Sequence, residues 1–418
     1  MPEITSAAPK PKKPKRKRVN LRTPEVMNVV KAQVNEDYRS KVVDYIRFSG
    51  KGISANGLTV KLAKAFGFCY GVERAIDLAY AAAKTFKDKP IYLLGEIIHN
   101  PEVNEQLKEM GITTLLEGEN GYDLSELKED DVVIVPAFGA PVETMREAEA
   151  KQCMIVDTTC GDVMSVWKRV RQYNREKITS IIHGKAWHEE TKATASRALS
   201  EEGYGHYLIV LTLEETDYIC EYIRQGGSKE EFLERFKGAY SPGFDPDEHL
   251  QAVGVANQTT MMKNDTLEVQ KRIRKSIVDR YGETAVESHF RSFDTICGAT
   301  QERQDALKEM LKEEMDLLIV VGGYNSSNTS HLAEMGEQVL PTYFIKNYTK
   351  MISEQKISHF NQHTNEEEES ENWLPDGEVT VGITAGASCP SNVIEDTIRH
   401  LYEFRGVNVL ELLPESAR

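Results

Sequence analysis

Short apolar runs alternate along this chain with longer stretches in which apolar residues recur every three or four positions. The runs Val132–Phe138, Met154–Thr158, Ser180–His183, Tyr207–Leu211, Ala252–Ala256, Leu317–Val321 and Val379–Thr384 have the length of buried strands. Between them Val72–Thr85, Val142–Lys151, Val163–Gln172, Glu189–Leu199, Asp265–Tyr281, Gln301–Glu314 and Asn392–Phe404 carry helical spacing. Strand–helix alternation of this kind predicts an α/β fold built on parallel sheets. Residues 21–50 read as helical, an extension ahead of the main body. Two segments break the rhythm: Ser228–His249 reads as an insertion, and Lys350–Pro375, with its EEEESEN run, as a mobile excursion. No clean repeat of 20–50 residues is present.

At 418 residues and 40% apolar composition the chain can bury several cores. Its 51 basic against 66 acidic residues give a net charge of -15, which argues against a general nucleic-acid or membrane-surface binder. No apolar run is long enough to cross a membrane. The charge is uneven, because the proline-punctuated stretch 9–18, PKPKKPKRKR, holds seven of the 51 basic residues. That stretch is predicted to be a solvated tail; an anionic tether or an import signal is the functional alternative.

The six cysteines, Cys69, Cys153, Cys160, Cys220, Cys297 and Cys389, form no CxxC pair. Neither a zinc ribbon nor a disulfide framework is indicated, and a reducing, intracellular and specifically cytoplasmic setting is expected. Cys69 in GFCYGVERAI, Cys160 in DTTCGDV and Cys297 in DTICGATQERQ share one context: a turn or strand end, a glycine within two residues, then a helix. A thiol at a helix N-terminus is favoured as thiolate, the form that ligates soft metals. Singly, each is better read as a small core hydrophobe. Together they suggest one cysteine per α/β unit converging on a shared centre with an open ligand position. Cys153 and Cys220 read as packing, while Cys389 stays ambiguous beside Ser388.

A second set of segments has the chemistry of an anion pocket. His99 lies between an apolar strand and a proline-started helix, and His188 and Glu190 open another helix. Thr259 and Thr260, Ser326, Ser327 and Asn328, and Ser388 follow the ends of strands. Hydroxyls, amides and free N–H groups at helix starts can hold phosphate without many lysines or arginines; each alone is also an ordinary helix cap.

GFCYGVERAI, LGEIIHNPEV, DTTC, HEET, NQTT, DTICGATQERQ, NSSN and TAGAS stand in this order between about Lys61 and Arg399. In that order the set resembles the 4-hydroxy-3-methylbut-2-enyl diphosphate reductase family, in the longer form found in cyanobacteria and plastids. The resemblance implies a three-lobed cloverleaf of α/β domains around a central iron–sulfur cluster, with an N-terminal extension. The expected division is 1–57 for the extension, 58–160 for the lobe of Cys69 and His99, and 161–296 for that of His188, Glu190 and Thr259. Residues 297–395 form the lobe of Cys297, Ser326, Asn328 and Ser388, and 396–418 the C-terminal helix and tail.

By the same resemblance Cys69, Cys160 and Cys297 hold a 4Fe-4S cluster whose fourth iron takes the substrate hydroxyl. Glu190 donates the proton, and Thr259 orients the hydroxyl and relays protons. His99, His188, Thr259, Ser326, Ser327, Asn328 and Ser388 bind substrate, mostly at its diphosphate. The implied reaction removes the hydroxyl with two electrons and two protons, leaving isopentenyl and dimethylallyl diphosphates. A ferredoxin or flavodoxin is the implied electron donor, since the chain has no flavin or nicotinamide motif; a homodimer is open to it.

Two departures stand out. Phe138 in PAFGAP replaces a histidine common in the family, so diphosphate binding falls to the other groups. Gly161 and Asp162 follow Cys160 where a proline is usual, and are expected to loosen the turn and to lower a cluster's potential. Two competing classes are an iron–sulfur carrier or sensor, which would not need Glu190 and the anion set, and a zinc hydrolase, which would need closely spaced ligands such as HExxH.

Overall fold

The computed structural model describes residues 21–414 apart from 51, 119–120, 200–204 and 294. The basic tail expected over 9–18 lies outside the described residues. Three sheets carry the molecule. In the first, Ile112–Leu115, Ile91–Leu94, Val132–Val135 and Met154–Asp157 lie side by side, all parallel. In the second, Tyr207–Val210, Thr179–His183, Val253–Asn257 and Phe290–Ser292 do the same. The third orders Ile53–Ala55, Leu58–Leu62, Val379–Ala385, Leu317–Val321 and Thr342–Ile345, parallel except for its first pair. Thr179–His183, Val253–Asn257 and Leu317–Val321 are buried at every position. Helices cover both faces of such strands, which is why they read as unbroken apolar runs rather than alternating ones.

The pairing corrects two expected boundaries. Leu58–Leu62 hydrogen-bonds to Val379–Ala385, so the start of the expected 58–160 segment belongs to the third sheet. The helix Ser391–Phe404 runs through the expected cut at 395 and buries Val393, Ile394, Ile398, Leu401 and Tyr402 in that sheet's core. The antiparallel first pair turns on Asn56 and Gly57, both at positive φ (47° and 78°), the two-residue hairpin geometry that Asn-Gly favours.

The two irregular segments are ordered parts of the fold. Ser228–His249 contains the helices Lys229–Arg235 and Pro246–His249, and its Phe232, Phe236 and Phe244 fill the second sheet's core. Lys350–Pro375 forms an antiparallel hairpin of Lys356–Asn361 with Glu366–Glu371. The glutamate run is held there by Lys350–Glu367 and Lys356–Glu369 ion pairs, while Ile357 and Trp373 anchor the hairpin in the core. Its Phe360 stacks on Tyr324 at 4.5 Å.

Ahead of the sheets, the helices Pro24–Tyr38 and Lys41–Ser49 occupy the segment read as helical. The Ser40 hydroxyl caps the second by accepting from Val43 N–H at 2.9 Å. The first buries Val30, Val34 and Tyr38 against the helix Tyr70–Thr85; the second places Val42, Val43 and Ile46 in the third sheet's core.

Candidate active site

The candidate residues all follow the carboxyl ends of parallel strands, where crevices of open α/β sheets form. His99 and Cys160 follow two strands of the first sheet; His188, Glu190, Thr259 and Cys297 follow three of the second. Cys69, Ser326, Ser327, Asn328 and Ser388 follow strands of the third.

Cys69, Cys160 and Cys297 each occupy the residue before a helix: Tyr70–Thr85, Gly161–Arg175 and Gly298–Met310. Backbone bonds tie each to another strand end. Cys69 N–H donates to Ala387 O (3.2 Å), Cys160 N–H to Ala137 O (2.8 Å) and Cys297 N–H to Thr259 O (3.3 Å). Gly71 faces Cys160 so closely that a Cβ there would stand 2.6 Å from the Cys160 Sγ and 3.8 Å from that of Cys69. The Asp162 carboxylate lies beside the Cys297 thiol.

Burial pushes the Cys297 thiol up to about 12, with Asp162 adding to the effect, and raises Cys160 as well. The helix N-termini therefore do not by themselves make thiolates here; a coordinating cation would. Across the gap Arg303, on the helix that Cys297 opens, donates through Nε (3.2 Å) and Nη2 (2.5 Å) to Gly67 O, two residues before Cys69. Gly161 starts a regular 15-residue helix, so the turn after Cys160 is not loosened as expected.

The donor set fits a multi-iron cluster. Among the described residues, the three donors whose ligand atoms all lie within 4.8 Å of one another are His99, His188 and Glu189, not the cysteines. Thiolates on one tetrahedral ion, with metal–sulfur bonds of about 2.3 Å, sit only ~4 Å apart. Soft sulfurs brought together from three chain segments at wider spacing suit a cluster rather than a single ion.

Glu190 is 3% exposed. Its Oε1 accepts from Thr259 N–H (2.6 Å) and its Oε2 from the Thr259 hydroxyl (3.0 Å). Loss of hydration outweighs those two bonds and lifts its pKa to about 7. Thr259 thus joins the buried acid to Cys297 through its own carbonyl.

His188 sits next to this acid. Its Nδ1 accepts from Glu190 N–H at 3.1 Å, so the proton of the neutral ring is on Nε2. Burial first, then the charges of His99, Lys185 and Lys192, holds His188 well below the ordinary histidine range. His99 approaches Glu96 Oε2 through Nδ1 (2.9 Å), stacks on Phe138 with ring centres 4.8 Å apart, and meets His188 edge-on. Phe138 thereby occupies the wall of the histidine pair as a packing surface.

On the facing loops Ser388 Oγ lies 3.1 Å from His99 O and 3.4 Å from Ser326 Oγ, and Asn328 Oδ1 accepts from Ala387 N–H (2.9 Å). Among the described residues, His99 Nε2 and Asn328 Nδ2 belong to the buried side-chain atoms without a hydrogen-bond partner, with Glu189 Oε2 standing 3.7 Å from His99 Nε2. Unpaired buried groups of this kind point to a missing polar ligand. The Ser327 hydroxyl, by contrast, is engaged by Gln258 Nε2 at 3.1 Å.

Cys153 and Cys220 lie in apolar cores, and so does Cys389, fully buried with its thiol pushed up by burial. Sequence reasoning missed Arg303, Lys185 and Gln258. Gln258 lies in the NQTT motif beside the threonines; its Oε1 accepts from Lys185 N–H and the Thr191 hydroxyl, each at 3.1 Å, within the second lobe, while its Nε2 donates to Ser327 of the third. Lys185 lies in HGKAWHEE, three residues before His188. Its half-buried ammonium is the nearby cation that burial makes less favourable.

Three α/β sheets whose strand-end loops carry three cysteines, a buried carboxylic acid and a set of imidazole, hydroxyl and amide groups define the class of protein as a multi-lobed α/β one. A family model described as LytB protein matches residues 60–402, and the chain belongs to that family. It is 47% identical over 387 residues to 4-hydroxy-3-methylbut-2-enyl diphosphate reductase of Gloeobacter violaceus, covering 90% of this chain and 91% of that one. It is 45% identical over 382 residues to the protein of the same name from Crocosphaera subtropica, covering 91% and 93%. A solved structure of (E)-4-hydroxy-3-methyl-but-2-enyl diphosphate reductase, the terminal enzyme of the non-mevalonate pathway, superposes with a TM-score of 0.50 at 26% identity, over 82% of this chain and 99% of that one. The Plasmodium falciparum reductase shares the fold, with a TM-score of 0.61 at 21% identity over 85% and 90%.

Proposed function

We propose that this chain catalyses the reductive dehydroxylation of 4-hydroxy-3-methylbut-2-enyl diphosphate to isopentenyl and dimethylallyl diphosphates, the last step of the non-mevalonate isoprenoid pathway. The family membership and the names of the relatives support the activity. The observation that carries the residue assignment is Glu190, a fully enclosed acid that keeps its proton to about pH 7 beside the Cys297 loop. Cys69, Cys160 and Cys297 would hold a 4Fe-4S cluster. When bound, such a cluster supplies low-potential electrons and one iron without a protein ligand, a Lewis-acid position for the hydroxyl.

The chain's own residues do the rest. Glu190 gives its proton to the departing oxygen, and Thr259, bonded to both carboxyl oxygens, fixes the acid and lines its path. His99, His188, Ser326, Ser327, Asn328 and Ser388 hold the diphosphate, with the unpaired Nε2 of His99 and Nδ2 of Asn328 as its first donors. Binding there positions the allylic end against the acid. Across the cycle two electrons and two protons enter, and the hydroxyl leaves as water. A ferredoxin or flavodoxin is the electron donor in this reading, in a reducing compartment, the cytoplasm, that keeps the cysteines out of disulfides.

One observation favours a second reading: His99, His188 and Glu189 could grip a single divalent ion, as a zinc hydrolase requires. Anaerobic turnover with a chemical reductant, beside Glu190→Gln and metal analysis, decides. Iron and sulfide in the protein, five-carbon products, and a loss of about 10²–10⁴-fold in the variant with its cluster spectrum intact are expected. Absence of turnover from cluster-loaded wild type would sink the reductase reading; zinc in place of iron would favour the hydrolase.

A further inference from the structure

The helix that Cys160 opens is two-sided. Val163, Val166, Trp167, Val170 and Tyr173 are buried, whereas Met164, Lys168, Arg171 and Arg175 are exposed. At 3.6 residues per turn those four fall within an arc of roughly 60°, forming one stripe. No ion pair joins Lys168, Arg171 or Arg175 to a carboxylate among the described residues. Of the nearby acids, Glu176 pairs with Arg291 at 3.2 Å, Asp162 lies beside Tyr70 and Cys297, and Glu73 is exposed on the neighbouring helix.

At its cysteine end the stripe becomes apolar. Met164 is 42% exposed and Tyr70 56%, and the Tyr70 hydroxyl lies 3.9 Å from Cys160 Sγ. Cys69 and Cys160 are partly exposed here, while Cys297 is buried, so this is the side on which the thiols come nearest the surface. An apolar contact spot over the redox ligands, continued by an unpaired cationic stripe, lies on a chain whose net charge is -15.

We propose that Tyr70, Met164, Lys168, Arg171 and Arg175 form the docking surface for a small acidic one-electron carrier protein. The proposal rests on the reductive function above, which needs electrons the chain cannot generate. The acidic carrier is repelled by the molecule as a whole and drawn to this stripe, which sets its orientation. Its redox centre then sits over Tyr70 and Met164. Each visit leaves one electron and releases the carrier oxidised, so two visits supply the two electrons of a turnover.

The test uses cluster-loaded protein and a plant-type 2Fe-2S ferredoxin as probe, with affinity measured at low salt and near-physiological salt. The triple reversal K168E/R171E/R175E is expected to weaken binding at least tenfold at low salt and to flatten its salt dependence. Turnover driven by reduced methyl viologen stays unchanged, because the small reductant needs no docking. Wild-type affinity and salt dependence in the variant would overturn the proposal. If the triple variant does not fold, K168Q/R171Q replaces it, with a several-fold weakening expected and none counting against the proposal. Failure of viologen-driven turnover in wild type would instead strike the reductase reading, and the binding arm still decides the surface.

Discussion

Burial strips a carboxylate of hydration, so the environment of Glu190 has a cost that titrates. Its folded pKa is about 7 against an ordinary 4.5. Below about pH 4.5 both folded and unfolded chains hold the proton, and the folded state has its full stability. As pH rises toward 7 the unfolded chain ionises first, so stability falls, by on the order of 3 kcal/mol once pH exceeds the folded value. Glu190→Gln removes this titration while leaving an oxygen for a Thr259 donor. The variant is expected to melt close to wild type at pH 5 and above it at pH 8, by thermal unfolding of cluster-free protein; a difference independent of pH would contradict the assignment. The same titration makes wild-type turnover decline as pH rises through 7, because the acid is then discharged before it is needed. Reactivity and instability at Glu190 are one property seen in two measurements.

The helix starts are where elements become chemistry. Gly71 is the second residue of Tyr70–Thr85, and a methyl group there would collide with the Cys160 sulfur. Alanine is otherwise the better helix former by about 1 kcal/mol. Gly71→Ala sets that gain against displacement of the Cys160 thiol, so the melting temperature of cluster-free protein should not rise, and the iron and sulfide bound per chain after reconstitution should fall; equal loading would show that the gap is not needed for the cofactor.

That three cysteines each cap a helix was legible because strand end, cysteine and helix are adjacent in sequence. The buried strands were legible for a related reason: covered on both faces, they are continuous apolar runs. Arg303 was not, because its partner Gly67 is 236 positions away and an arginine in a helix is unremarkable by pattern alone. The Lys356–Asn361 hairpin was misread because its second strand is nearly all glutamate; cross-strand lysines and the packing of Ile357 and Phe360 override propensity there. The Ile53–Ala55 hairpin carried a readable Asn-Gly signal that the apolar pattern overshadowed.

At the scale of the whole molecule, the N-terminal helices act as a strap between the first and third sheets. Tyr80 OH donates to Asp37 (2.7 Å) and Asn392 Nδ2 to Asp37 O (3.0 Å), so one residue of the strap joins a helix of each. Farther along, Arg47 lies 4.1 Å over the Phe66 ring and donates Nη2 to Phe66 O at 3.2 Å. Arg303 grips the next carbonyl, that of Gly67. Two guanidiniums from distant segments thus hold the turn that aims Cys69. This predicts a separation between folding and cofactor retention. Arg47→Met keeps most of the apolar stem on Phe66 but loses the carbonyl grip, so the melting temperature should move by no more than about 4 °C, the shift of a ~1 kcal/mol change. Iron release from reconstituted protein to a chelator, followed by loss of visible absorbance, should nonetheless quicken several-fold, because the ligand loop opens without the domain unfolding. Release at the wild-type rate would mean that Arg303 alone fixes the turn. A melting drop of tens of degrees would mean that Arg47 supports the fold rather than the site.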